Sequence, residues 1–473
     1  MVPEHPGGGL MRTDILFETV PGLDDALDAV DAFDDTLVGG LLRPRAGQAD
    51  GTAELARAVV GTPLAARAAE AAGRAADGAA TEDDFVALAA ARTAVLGSVH
   101  DALTTRLTEA TGRPRDEREP DPRVAGEPSN LSAAARSWLC DLARAGWRGI
   151  DHELVAAAAP VVSAMLPEPA LRRQAMLLDG FAGELAASCP GATLEDVPAR
   201  RWADLWSRAL LLTLPGAAVP APAVPATGRL LPLGVDVQEH ATGAQAQVHA
   251  VFEPADGTAT RLVRASVAVP KPDTVVGAGV WQLLRPHLSL LAAVGEGRAM
   301  DITAMPLTAE GDLLWSEEHA RPGEPADTFT TARVALPAAV DGATAPLDRH
   351  PARLAVPVFL EGYEAVRAQD DTLTFTVAGH PLTVDTDRVP AAGPLTPEAV
   401  AASGACIGLL RWDDGTYRVQ PLAVETAVRK KAVAVHAGGW AGGTTDKAGA
   451  KAEKAATDAV AVLRERAGRL LRK

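Results

Sequence analysis

Residues 215–228, Pro215-Gly-Ala-Ala-Val-Pro220-Ala-Pro222-Ala-Val-Pro225-Ala-Thr-Gly228, divide this 473-residue chain into parts with different periodicities. Before them apolar residues recur every three to four positions, the helical repeat. After them apolar and polar residues mostly alternate, the strand repeat. Four prolines in the stretch remove amide donors and fix φ, so it suits neither a helix interior nor a central strand. The expected architecture is therefore α+β and multidomain. An N-terminal all-α module (1–214, with a charged, proline-rich loop at 112–130) precedes the extended linker 215–228. A mostly antiparallel β-rich module, sandwich or barrel-like, occupies 229–435. A Gly-rich hinge and a basic amphipathic helix complete the chain over 436–473.

Net charge narrows the partners. The chain carries −16, which favours solubility and opposes general nucleic-acid affinity. The tail from Thr445 runs against this balance, with eight basic residues and four acidic ones. Val460, Leu463, Ala467 and Leu470 form its apolar stripe, with Arg464, Arg466, Arg469, Arg472 and Lys473 around it. Such a helix is expected to dock on an acidic protein surface. Contact with an anionic membrane surface is the weaker alternative. A receptor is at hand in the same sequence: Asp24, Asp28, Asp31 and Asp35 line one face of the helix begun by Leu23 and otherwise read as solvated.

Three widely spaced cysteines, with no CxxC, and the absence of an apolar leader point to a reducing, cytoplasmic setting.

Searches for chemistry return ordinary readings. No HExxH, GxSxG or GxxxxGK[ST] occurs, so no metal, cofactor or catalytic residue is assigned and the chain is not itself a P-loop ATPase. Ser98-Val-His100-Asp101 sets three triad residue types side by side on a helix, where successive side chains diverge by about 100° and cannot form a relay among themselves. His240 and His249, with Glu239 nearby, read as surface residues of neighbouring strands. Gly277-Ala-Gly279 lacks the third glycine of a dinucleotide loop. Trp440, within His436-Ala-Gly-Gly-Trp-Ala-Gly-Gly, is a candidate contact residue in the hinge. Trp202 and Trp206 share a leucine-lined stripe and read as core.

The stretch Pro198-Ala-Arg-Arg-Trp-Ala-Asp-Leu-Trp-Ser-Arg-Ala-Leu-Leu-Leu212, with a few residues around Arg411–Ala423, resembles uncharacterised actinobacterial proteins encoded beside MoxR-type AAA ATPases, VWA-domain proteins and SWIM zinc-finger proteins. The resemblance implies an accessory subunit of an ATP-dependent assembly and carries no catalytic residue with it. The composite expectation is a non-catalytic interaction or scaffold protein, working through protein partners or self-association. The alternative is an enzyme or small-ligand binder whose site lies in the cleft between the helical and β modules.

Overall fold

The computed structural model describes residues 11–42, 48–116, 129–219, 221–240, 243–272, 275–284, 287–429, 431–443 and 447–470. Helices fill the chain to Leu212, strands follow from Ala223 to His436, and the Lys447–Leu470 helix comes last.

The helix Glu82–Thr111 is the spine of the N-terminal half. A reciprocal capping box starts it: the Thr81 amide donates to Asp84 Oδ2 at 2.8 Å, and Thr81 Oγ1 lies 2.7 Å from the same oxygen. Its first half, with Phe85, Leu88 and Leu96, packs into a core shared with Phe33, Phe181 and the tryptophans at 138, 147, 202 and 206. The Ala65–Ala76 helix presents only alanines to that core, so its backbone can approach closely. This spine is the one described helix long and apolar enough to cross a bilayer, but most of its apolar window is buried inside the protein.

The second half of the spine belongs elsewhere. Val99, Leu103, Leu107 and Ala110 join a different core, built with the strands. Tyr417 donates from Oη to the Leu103 carbonyl at 2.8 Å, Thr13 Oγ1 donates to the Val377 carbonyl at 3.0 Å, and Arg113 bonds both the Pro357 carbonyl and Asp341. The sequence suggests that 1–214 and 229–435 separate, yet one apolar core crosses that boundary. Nicking the chain between Pro215 and Val219 is therefore expected to leave both pieces in a single species on size-exclusion chromatography. Two folded fragments eluting apart would refute the shared core.

The proline-rich stretch also behaves differently from its reading. Strand β1 runs Ala223–Glu239 and so takes in Pro225. Pro225 faces Pro306, and this end of β1 pairs with β4 alone, the β2 ladder beginning at Gly228. A proline is tolerated where one side of the strand has no ladder to complete.

Thirteen strands form two units among the described residues. The first contains β1, β2 (Gly243–Pro254), β3 (Arg261–Pro270), β4 (Arg298–Thr308), β5 (Asp312–Leu313) and β6 (Ala320–Pro325). β1 pairs antiparallel with β2, β2 with β3, β3 in parallel with the short β5, and β5 with β4, which returns to β1. The ring order 1-2-3-5-4-1, with helices Val280–Leu283 and Leu288–Glu296 between β3 and β4, is the connectivity of the OB barrel. β6 extends the outer edge of β4. The barrel interior is apolar: Val235 faces Val248, which faces Ala265, and Val237 faces Ala246, which faces Val267.

The second unit holds β7 (Val356–Glu361), β8 (Glu364–Arg367), β9 (Leu373–Val377), β10 (His380–Val384), β11 (Ser403–Asp413), β12 (Thr416–Val428) and β13 (Lys431–His436). Its sheet order is β7-β11-β12-β10-β9-β8, with β13 beside β12. Two hairpins match their turn sequences. Asp414-Gly415 (φ 49° and 71°) joins β11 to β12, and Ala378-Gly379 (φ 50° and 87°) joins β9 to β10. The barrel meets this sheet through β1, where a bulge follows Pro232. Gly234 lies so close to Leu422 that an added Cβ would sit 2.7 Å from the leucine Cβ.

The stretch 328–336 reads from its sequence as a strand, yet it forms the helix Thr328–Val334. Asp327 caps it by accepting from the Thr330 amide at 2.7 Å. The glycines after His436 are packed rather than hinge-like. Ala437 is fully buried, and a Cβ on Gly438 would lie 2.6 Å from Val235 Cγ1.

Candidate functional site

The period of two puts polar side chains on the outer face of the barrel. Asp236, Gln247 and Ser266 stand side by side across β1, β2 and β3, and His249 stands between Gly234 and Arg264. By sequence this face should meet water. Instead a roof covers it, leaving a cavity of about 1060 Å³. The roof comes from the spine helix (His100, Thr104), the connection 341–357, the segment 387–391 and Arg411 of β11. Ion pairs strap the 341–357 connection to the helical region. Arg349 reaches Asp101 at 3.2 Å, His350 reaches Asp204 at 3.0 Å, and Arg208 donates to Asp348 at 2.8 Å.

Inside, the charges are organised in pairs. Arg264 forks onto Asp312 at 2.5 and 2.9 Å. Arg411 donates to Asp236 at 2.9 Å and to Gln420 at 2.5 Å, while Gln420 and Gln238 donate to Asp236 at 2.8 and 3.0 Å. Burial drives the Arg411 guanidinium below its usual range despite Asp236. This network joins the barrel to the second sheet, since Asp236 lies on β1 and its partners Arg411 and Gln420 lie on β11 and β12.

Glu310, whose Oε2 has no hydrogen-bond partner, and Arg115 also line the cavity outside these pairs. His249 is a further exception. It is 4% exposed, and its Nε2 has no hydrogen-bond partner although it lines the cavity. Burial holds its imidazole well below the ordinary range. Arg264 and Arg411 push the same way against Asp236, so the ring is neutral at physiological pH. The expected surface histidine is therefore an enclosed one.

His100 forms no relay with Ser98, as its spacing suggests, yet it touches its other neighbour. Its Nδ1 lies 3.0 Å from Asp101 Oδ1, so adjacent helix positions do make contact here. Burial works to raise Asp101, but the His100 bond and the Arg349 guanidinium prevail and hold its carboxyl below the usual range. Ser98 takes no part: its hydroxyl donates to the Val95 carbonyl at 2.7 Å. The arrangement is an oriented histidine at the cavity wall, not a nucleophile relay.

The residues proposed for contact fall outside this cavity. Asp24, Asp28, Asp31 and Asp35 are exposed on the Leu23–Gly39 helix, and Asp31 is engaged by Arg200 at 3.0 Å. The tail helix rests on the barrel rather than on that row, with Gln282 Nε2 donating to the Glu453 carbonyl at 2.9 Å and to Thr457 Oγ1 at 2.8 Å. Arg466 and Arg469 are exposed on it, and Arg469 pairs with Glu465. Arg464 lies within the same helix, whereas Arg472 and Lys473 lie outside the described residues. Trp440 is half-buried against the strand core. The Gly277 amide, considered for phosphate binding, donates to Glu239 at 3.3 Å, so the chain's own carboxylate takes that position.

Nor do the cysteines supply a nucleophile. Burial pushes the Cys140 thiol up to about 12 and raises Cys406 and Cys189 as well. Among the described residues no three His, Cys, Asp or Glu side chains converge as metal ligands.

The cavity residues were present in the sequence as Asp236-Val-Gln238 and Gln245-Ala-Gln247-Val-His249. Their alternation marked a polar face correctly. It carried no sign of the roof, most of which comes from residues about a hundred positions away in both directions. Comparison of the chain with known protein families, with curated proteins and with solved structures finds no match.

Proposed function

We propose that this protein binds a polar small molecule in the cleft between its helical region and its two β units. One observation carries the reading: the polar outer face of β1–β3 is roofed over without being filled, and it includes His249, a buried histidine whose Nε2 has no hydrogen-bond partner. Burying polar groups is costly unless they are bonded, and stability alone would favour closing such a space with apolar side chains. Cavities with a few convergent polar groups are the usual form of ligand sites. In barrels of this connectivity ligands commonly sit on the face of the second and third strands, an analogy of fold that adds weight but no identity.

The test is thermal and denaturant melting of the full chain against a panel of sugars, nucleotides, amino acids and polyamines, beside Ala343→Trp. Ala343 lines the cavity and is half-buried, so the indole fills space there. A ligand at a hundred times its Kd is expected to add about 2.7 kcal/mol to the wild type and nothing to the filled variant. No response to the panel, or equal responses from both proteins, would reject the cleft. It would leave the accessory-subunit reading, for which exposed Arg466 and Arg469 on the last helix supply a contact surface.

A further inference from the structure

We infer that the cleft takes a free amino acid, with its carboxylate on Arg115 and its ammonium on Glu310. This rests on the reading of the cleft as a ligand site and adds the chemical class and the two residues that select it.

Seven carboxylates and five arginines line the cavity, and all but three of them are committed. Arg411 holds Asp236 at 2.9 Å, Arg264 holds Asp312 at 2.9 Å and Arg353 holds Asp348 at 2.6 Å. Asp341 accepts from Arg113 at 3.0 Å, Glu239 pairs with Lys271 at 3.5 Å and Arg388 donates to Asp385 at 2.7 Å. Asp387 is exposed to water. Glu310 and Arg115 are left. Both are half-buried, and among the described residues neither side chain has a hydrogen bond or an ion pair, with the other or with any third group. Partial burial of an uncompensated charge costs free energy that a partner of opposite sign recovers.

The two residues stand on one frame. The Asp116 amide donates to the Asp341 carbonyl at 2.9 Å and the Asp341 amide to the Pro114 carbonyl at 3.0 Å, which fixes Arg115 beside Asp341. The next residue, Gly342, lies so close to the β4–β5 turn that an added Cβ would sit 3.0 Å from the Glu310 carbonyl. A guanidinium and a carboxylate are thus mounted on either side of the 341–342 peptide. The nearest further charges are already bound: Asp101, which feels Arg115 at a distance, is held by Arg349, and Arg264, which feels Glu310, is held by Asp312.

A lone anion would satisfy Arg115 and meet an opposing Glu310, and a lone cation would meet the reverse. A molecule carrying both charges compensates both residues. Glu310 Oε2 is enclosed by the wall without a donor, so Oε1 is the oxygen left for a ligand. An ammonium, a donor with no acceptor, suits that single oxygen, and a planar guanidinium suits a carboxylate. An amino acid holds both charged groups on one carbon. Its side chain is then left for the rest of a cavity of about 1060 Å³, where Gln245 and Gln247 offer neutral amides.

Calorimetric titration of the full-length protein with the protein amino acids, maltotriose, ATP and spermidine tests the assignment. At least one amino acid is expected to bind, and its N-acetyl and carboxamide forms should each bind about tenfold or more weakly. Glu310→Gln should weaken the amino acid by a similar factor while leaving the N-acetyl form no weaker, and Arg115→Gln should do the same for the amino acid and the carboxamide. Neither residue bonds another side chain, so both variants should melt as the wild type does. Arg57→Ala, a surface change in the helical region, should bind normally. An amino acid that binds all variants equally would overturn the two contacts. Binding of only maltotriose, ATP or spermidine, abolished by Ala343→Trp, would overturn the class while upholding a ligand cleft. Silence from every probe would overturn the inference together with the reading beneath it.

Discussion

Replacing Arg92 with leucine is expected to cost about 3–5 kcal/mol of unfolding free energy, the range for stranding a buried charge. Arg92 projects from the spine helix into the helical core and is 1% exposed. Its Nε and Nη2 fork onto Asp34 at 2.6 and 2.7 Å, Nη2 also reaches Asp204 at 2.7 Å, and Nη1 donates to Ser207 at 3.2 Å. Burial draws the Asp34 carboxyl up to about 6 even with Arg92 opposing it. Burial acts against Arg92 as well, yet Asp34 and Asp204 hold its guanidinium above the usual range. Both groups move up, which works against ionisation of Asp34 and for that of Arg92, and the short forked contact decides for an ion pair at neutral pH.

The sign of the pH effect follows. Asp34 binds protons more tightly folded than unfolded, so its contribution is greatest below the ordinary carboxyl value of 3.8 and is lost as pH rises through about 6. Without the arginine that loss extends to higher pH. Arg92→Leu should therefore be less impaired relative to wild type at pH 5 than at pH 8 in urea melts, and Asp34→Asn added to it should recover part of the loss. A deficit under 1 kcal/mol, or one that is equal at both pH values, would contradict the stranded-charge account.

Trp206→Ala should lose about 3–5 kcal/mol for a different reason, an emptied aromatic site. Trp206 is fully buried, its ring centroid lies 6.4 Å from that of Phe33, and its Nε1 donates to the Leu139 carbonyl at 2.9 Å. Alanine removes the ring, the contact and the donor together. Phenylalanine restores most of the apolar volume without the donor, so Trp206→Phe should lie between the two in a guanidinium titration. A Trp206→Ala protein that melts like wild type would show that the surrounding helices do not depend on this ring.

Trp206 and Asp34 illustrate what was legible. The stripe Trp202, Trp206, Leu210 recurs at helical spacing, and that spacing alone marks a buried face. Asp34 sits among six aspartates between residues 24 and 35, and five of them are exposed as their spacing suggests. Its burial is decided by Arg92, fifty-eight positions on, and no local pattern encodes that partner. The two hairpins were readable because Asp-Gly and Ala-Gly adopt positive φ locally. The barrel was legible only as one of two choices, sandwich or barrel, because its closure depends on β5, two residues long, pairing in parallel with β3. The cleft failed to show for the same reason: each wall reads as an ordinary polar strand or loop until the walls are brought together.

The spine helix, with its first half in one core and its second half in another, also imposes an order on synthesis. Its helical neighbours up to Leu212 emerge soon after it, so the Phe85 half can be covered early. Leu103 must wait for Tyr417, 314 residues later. At about 5–20 residues per second that interval is roughly 15–60 s. For that time a nascent chain with a finished helical half has only the Met11–Leu23 segment to cover the Val99, Leu103, Leu107 stripe. The barrel strands, arriving midway, are the next surface able to complete that cover.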